Sequence, residues 1–279
     1  MAEKMGVKAA LEKARQRRMD VLKPHARRLA DHGSAAERQA AIQAMPQFRR
    51  VDYDASQCRR YRILVSDDKQ LSKARGAAEF RMLRTRILHR ARANNWDTIG
   101  VTSPGAGDGK SLTAINLALA IAREKNNNVF LIDVDMRSPR ICQYLGVKPP
   151  VEINQYLKGS ASAEDVLFSI GVENLTLAGT LTATDQSSEL LASGRIEELF
   201  TFIRGIAPQP LILLDLPPIL SADDALVVAP KIHACLLVIS EGRSRRDSTA
   251  KALELLSEFN LAGLVLNRSH AVIKDYYSA

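Results

Sequence analysis

Lys110 and Ser111 close the run TSPGAGDGKS, in which Gly105, Gly107 and Gly109 alternate with Ala106 and Asp108. Glycine tolerates positive φ, so this stretch of backbone can curl until successive N–H groups point inward and form an anion nest. A helix starting at Lys110 would add its own free N-terminal amides, and the phosphates of a nucleotide are the anions such a nest suits. Lys110 then reaches the terminal phosphates as a point charge, and the Ser111 hydroxyl ligates Mg²⁺. Leu112 lies in the same first helical turn and is counted with this cofactor-binding set. One residue departs from the usual pattern: Pro104 stands where Gly or Ala is common, at a place that begins the loop and needs no N–H donor.

Two more segments carry carboxylates. In VFLIDVDMRSPR, Asp133 and Asp135 alternate along a strand end and so face one way, with Arg137 following. Two carboxylates facing one way repel unless a cation lies between them or one holds a proton. Mg²⁺ supplies that cation, leaving one carboxylate to hold the metal or its water and the other to act as base toward a hydroxyl. In LILLDLPPIL a buried strand delivers Asp215 at its tip, where two prolines end it, which suits a second Mg²⁺ holder. Acidic residues at strand tips also cap helices, so each segment gains its meaning from the glycine loop. Asn267, at the end of the last strand, is placed to meet an adenine or to be a plain loop amide; Tyr276 and Tyr277 sit in a polar tail as candidate phosphate acceptors.

These groups can meet only if several strands present their carboxyl ends together, which is where ligands gather in a parallel sheet. Short apolar runs do alternate with helical-period segments from residue 98 onward, the signature of β/α units. Strands are predicted at 98–103, 129–134, 175–179, 211–216, 234–240 and 262–267, each apolar enough to be covered on both faces. Helices are predicted at 110–123, 152–158, 162–168, 187–204, 221–229 and 246–259, with a long one from about Leu71 to Ala93 ahead of the first strand. The fold class is thus α/β, a P-loop NTPase with a mostly parallel central sheet flanked by helices.

The first 62 residues are different in character: they hold 15 Lys and Arg against 7 Asp and Glu, whereas the remaining 217 hold 24 of each. That is a basic helical arm and linker (1–62) on a charge-balanced domain (63–269), followed by the tyrosine tail (270–279). The arm interleaves Leu, Ala and Met with its charges, which suits a membrane protein's cytoplasmic segment or acidic lipid, or a plain solvated helix. No helix-turn-helix or stacking platform points to nucleic acid. Neither a signal peptide nor a spanning segment is evident, so a cytoplasmic chain is expected. Cys58, Cys142 and Cys235 are widely spaced and suggest buried thiols rather than a disulfide framework or zinc site.

Taken together, TSPGAGDGKS, VFLIDVDMR and LILLDLPP resemble the three Walker elements of the bacterial tyrosine kinases (BY-kinases) of capsule and exopolysaccharide export. EFRMLRTRI, SSELLASGRIEELF and LVLNRS extend the likeness over roughly residues 70–270, and ALEKARQRR is similar to the start of free-standing, exosortase-linked members. The resemblance implies an ATP- and Mg²⁺-dependent protein tyrosine autokinase that phosphorylates Tyr276 and Tyr277. It further implies a homo-oligomer, activated by a membrane-embedded chain-length regulator and so recruited to the inner face of the cell membrane. Carried over by position, Lys110, Asp133 and Asp135 are catalytic, Ser111, Asp133 and Asp215 hold the metal, and Arg137 is an auxiliary member of the cofactor-binding set. Lys110→Met is expected to abolish activity and leave the fold intact.

Two departures from the family stand out. Ala78 occupies the place of a Glu that precedes Arg81 and Arg84 in the family's oligomer motif, with Glu79 beside it, and the tail offers two tyrosines where members often carry more. Two other readings remain open: a ParA/MinD-like ATPase switch, and an ATP-binding regulator without kinase activity. Against the switch stands Gly105, where that group usually places a signature lysine.

Overall fold

A computed structural model of the chain describes residues 45–64, 76–124 and 127–269. Met1–Ala44 and the tail from residue 270, with Tyr276 and Tyr277, lie outside the described residues; the chain divides into two compact units, of which Met45–Ala279 is the second.

Four strands form the sheet's centre: β2 (Thr98–Thr102), β3 (Asn128–Asp133), β6 (Pro210–Asp215) and β7 (Ala234–Ser240). With β1 (Arg49–Arg50), β4 (Phe168–Ser169), β5 (Leu175–Ala178) and β8 (Leu261–Asn267) they give the order β1-β4-β5-β3-β6-β2-β7-β8. All neighbours are parallel except β4 and β5. Every residue of β2, β3 and β6 is buried, as their unbroken apolar character requires of strands covered on both faces.

The covering helices come from the β/α crossovers. On one face lie α2 (Ala77–Asn94), α3 (Lys110–Ala122) and α4 (Ile141–Leu145), whose Ile87, Leu117 and Cys142 share a core with Val101 and Leu213. After its first turn α3 is apolar all round except for Asn116, whose Oδ1 accepts from Leu64 N–H, and it is buried all round, packed between the sheet and α2. On the other face α5 (Ile153–Leu157), α6 (Ala163–Val166), α7 (Ser187–Ala192), α8 (Arg195–Ile206), α9 (Asp224–Val228) and α10 (Arg246–Leu256) surround a second core that includes Phe130, Phe200 and Leu237.

Several predicted boundaries move. The single helix expected over 187–204 is two, because Gly194 takes φ +84°, a left-handed turn that an α-helix cannot carry through. The helix over 162–168 stops at Val166, and Phe168 with Ser169 forms β4, antiparallel to β5. The long helix starts at Ala77; residues 71–75 lie outside the described set. The last strand is not covered on both faces: β8 is an edge, and Leu264 and Leu266 are about half exposed. Residues 45–62, counted above with the arm, add to the globule: β1 pairs with β4, and Asp54 caps α1 (Ala55–Arg60), accepting from Ser56 and Gln57 N–H while Cys58 is buried.

Candidate functional site

The register of three strands sets the site. Asp133 of β3 and Val101 of β2 are both partners of Asp215 on β6, so two carboxylates lie side by side next to the strand that feeds the glycine loop. The β6 turn is tied to that strand: Thr102 Oγ1 donates to Pro217 O at 2.7 Å, and Ile219 N donates to Ser103 O at 2.9 Å.

The loop takes the curled form the glycines permit. Gly107 has φ +81° and Gly109 φ +98°, and α3 begins immediately after, at Lys110. Asp108 turns back on the loop, its Oδ2 accepting from Gly105 N at 3.0 Å, which uses one amide internally rather than for a ligand. Ala106 and Gly107 are exposed at the mouth, while Lys110 and Ser111 are buried and Leu112 is half-buried.

Lys110 Nζ stands 2.7 Å from Asp135 Oδ2, 3.2 Å from Asp215 Oδ1 and 3.2 Å from Ser111 Oγ. Burial opposes its charge, but Asp215 and Asp135 outweigh that and hold its pKa above the ordinary lysine value. Asp133 is fully buried; its Oδ2 accepts from Arg140 and Ile141 N–H, both at 3.0 Å, and its Oδ1 from Asp135 N at 3.2 Å. Three donors favour the ionised form, yet burial, with the Asp215 carboxylate alongside, pushes Asp133 up to about 8. Asp215 is raised too, by burial first. Asp215 Oδ2 is buried without a hydrogen-bond partner, and with Ser111 Oγ it is the oxygen best able to receive a cation.

Among the described residues the predicted ones are thus brought together with two exceptions; Tyr276 and Tyr277 lie outside the described set. Arg137 faces away from the loop, its Nε 3.1 Å from Asp224 Oδ2 and its Nη2 3.6 Å from Asp223 Oδ1. Asp224, which also accepts from Ser187 Oγ at 2.7 Å, makes Arg137 a link between the β3 and β6 turns. Asn267 does not reach outward to a base; its Nδ2 donates to Asp108 O at 2.9 Å and occupies the space a Cβ on Gly109 would need. It braces the loop from β8. One residue escaped the sequence: Arg243, whose Nη2 donates to Ala106 O at 3.3 Å across the loop mouth. Its signal was the basic run EGRSRR directly after β7.

A family model described as ParA, NUBPL iron-transfer P-loop NTPase, matches residues 95–278. The chain belongs to this ParA family of P-loop NTPases. Its curated relatives include the tyrosine-protein kinase YwqD of Bacillus subtilis, 28% identical over 214 residues, which are 76% of this chain and 87% of that protein. Among solved structures, the chimerical protein CapA2B2 superposes with TM-score 0.67 at 22% identity, over 85% of this chain and 99% of the other. The kinase domain of the Escherichia coli tyrosine kinase ETK does so with TM-score 0.66, also at 22% identity, over 85% and 93%. The resemblance to bacterial tyrosine kinases therefore holds in sequence and in fold. All three cysteines are buried and in no disulfide, and among the described residues no helix is long and apolar enough to cross a membrane.

Proposed function

We propose that this P-loop NTPase is an ATP-dependent protein tyrosine autokinase controlling the polymerisation and export of a capsule or exopolysaccharide. The observation that carries the chemistry is Lys110, held by the first turn of α3 between the carboxylates of two neighbouring strand tips. ATP phosphates lie in the nest of residues 106–111, with Lys110 against the terminal ones. The residues present fit Mg²⁺: Asp215 Oδ2 is a buried oxygen lacking a partner, and the raised pKa values of Asp133 and Asp215 mark a place short of positive charge. Ser111 and Asp215 would hold the ion, with Asp133 behind them; when bound, it draws charge from the phosphates.

A tyrosine oxygen bonds to the terminal phosphorus as the bond to the bridging oxygen of ADP breaks. The phenolic proton passes to Asp133 or Asp135, and Lys110 offsets charge gathering on the departing ADP. Positioning and charge neutralisation do most of the work in such a transfer. Tyr276 and Tyr277 are the proposed acceptors, presented within a homo-oligomer. A membrane-embedded chain-length regulator is the proposed activator, placing the chain at the inner face of the membrane.

Incubating the full chain with ATP and Mg²⁺ and blotting for phosphotyrosine tests this. A signal that disappears in the Tyr276→Phe, Tyr277→Phe double variant is expected. ATP hydrolysis with no phosphotyrosine at any time would replace the kinase reading with a nucleotide switch.

A further inference from the structure

The end of β7 turns tightly. Arg243 N and Ser244 N both donate to Ser240 O, at 3.2 and 2.9 Å, and Ser240 N donates to Ser244 Oγ at 2.7 Å. The turn sends the Arg243 side chain over the glycine loop, where Nη2 meets Ala106 O. A Cβ built on Gly107 would lie 2.5 Å from Nη2, 2.8 Å from Cζ and 3.3 Å from Nε of Arg243. The guanidinium therefore fills the space at the loop's exposed tip that any side chain at 107 would take. A guanidinium has five N–H donors. Only one of them is engaged in a hydrogen bond among the described residues, and no carboxylate there pairs with Arg243.

The charge around the loop gives this placement its meaning. Asp108, Asp133, Asp135 and Asp215 are all buried there, and Lys110 is already shared between two of them. A triphosphate adds further negative charge at the same spot, where one lysine is a poor match for it. We infer that Arg243 is a phosphate-contacting residue supplied from the turn after β7, whose guanidinium engages the terminal phosphate and makes the site prefer ATP over ADP. The inference rests on nucleotide binding as proposed above and is independent of tyrosine being the acceptor.

The alternative is a brace, like Asn267, that shapes the loop for any nucleotide. Affinities of the full chain for Mg-ATP and Mg-ADP, measured by calorimetry for wild type, Arg243→Gln and Arg243→Lys, separate the two. Loss of a charge-assisted contact to the terminal phosphate weakens ATP by about tenfold or more in Arg243→Gln, with ADP within about twofold. Arg243→Lys falls between, keeping the charge without the planar fork. Equal weakening of both nucleotides, or no change in either, overturns the inference. A wild-type chain that binds neither nucleotide overturns the nucleotide reading itself, and this inference with it.

Discussion

Two carboxylates sharing one ammonium make Lys110 a structural residue as well as a catalytic one. Removing one partner from a buried ionic cluster commonly costs about 3–5 kcal/mol, because the charges left behind are uncompensated. Lys110→Met should thus abolish phosphate transfer and also destabilise the chain, which revises the expectation of an intact fold. Urea unfolding measures it, and an unchanged midpoint would show that the carboxylates had protonated at no cost. Asp97, at the start of β2 and so at the opposite end of the strand from the loop, supplies a contrast. Burial alone would raise its pKa, but hydrogen bonds from His233 and from Arg204, which reaches both carboxylate oxygens at 2.8 Å, hold it well below the usual range. A depressed carboxylate stabilises the fold above its unfolded pKa, near 4, and that contribution is lost as pH falls through the folded value. Arg204→Met should therefore lower stability at pH 7 and lose most of that deficit at strongly acidic pH. Parallel unfolding curves at both pH values check this; a deficit of equal size in acid would mean packing, not charge.

At the scale of elements, the loop before α3 is clasped from the β7–β8 side by Asn267 beneath Gly109 and Arg243 above Gly107. β8 is a sheet edge with few neighbours, yet it delivers the brace, since Glu241 N donates to Asn267 O and fixes the strand end. Asn267→Ala removes one hydrogen bond from the Asp108 carbonyl, a loss of about 1 kcal/mol. ATP and ADP should weaken alike, each by about fivefold. A loss confined to ATP would instead give Asn267 a phosphate or metal contact. Arg84, one of the two arginines of the oligomer motif, is paired with Glu124 of its own chain at 3.0 Å, and Ala78 offers no carboxylate in its place.

For the whole molecule, the excess positive charge lies entirely in residues 1–62, so those are the residues an anionic surface would attract. The full chain should sediment with vesicles containing phosphatidylglycerol and not with phosphatidylcholine alone, and should come off as salt rises past physiological strength. The second compact unit begins at Met45, so a chain lacking residues 1–44 can be compared directly. Equal retention of the shortened chain would remove the arm from membrane contact. Much of the rest was legible in the residues themselves. Runs such as VFLID and LILLD state both the strand and its burial, and GAGDGKS states the loop and the helix after it, because backbone freedom and hydrophobic period are local properties. Three features escaped for a common reason. The break at Gly194 interrupts a period that continues unchanged on both sides; Arg137 turns to Asp224, 87 residues away; and Arg243 crosses 137 residues to the loop. Sequence therefore determined which groups exist and which elements carry them. Only the tertiary structure decided which charges meet, because a long polar side chain chooses its partner by distance through space, and strand order sets that distance.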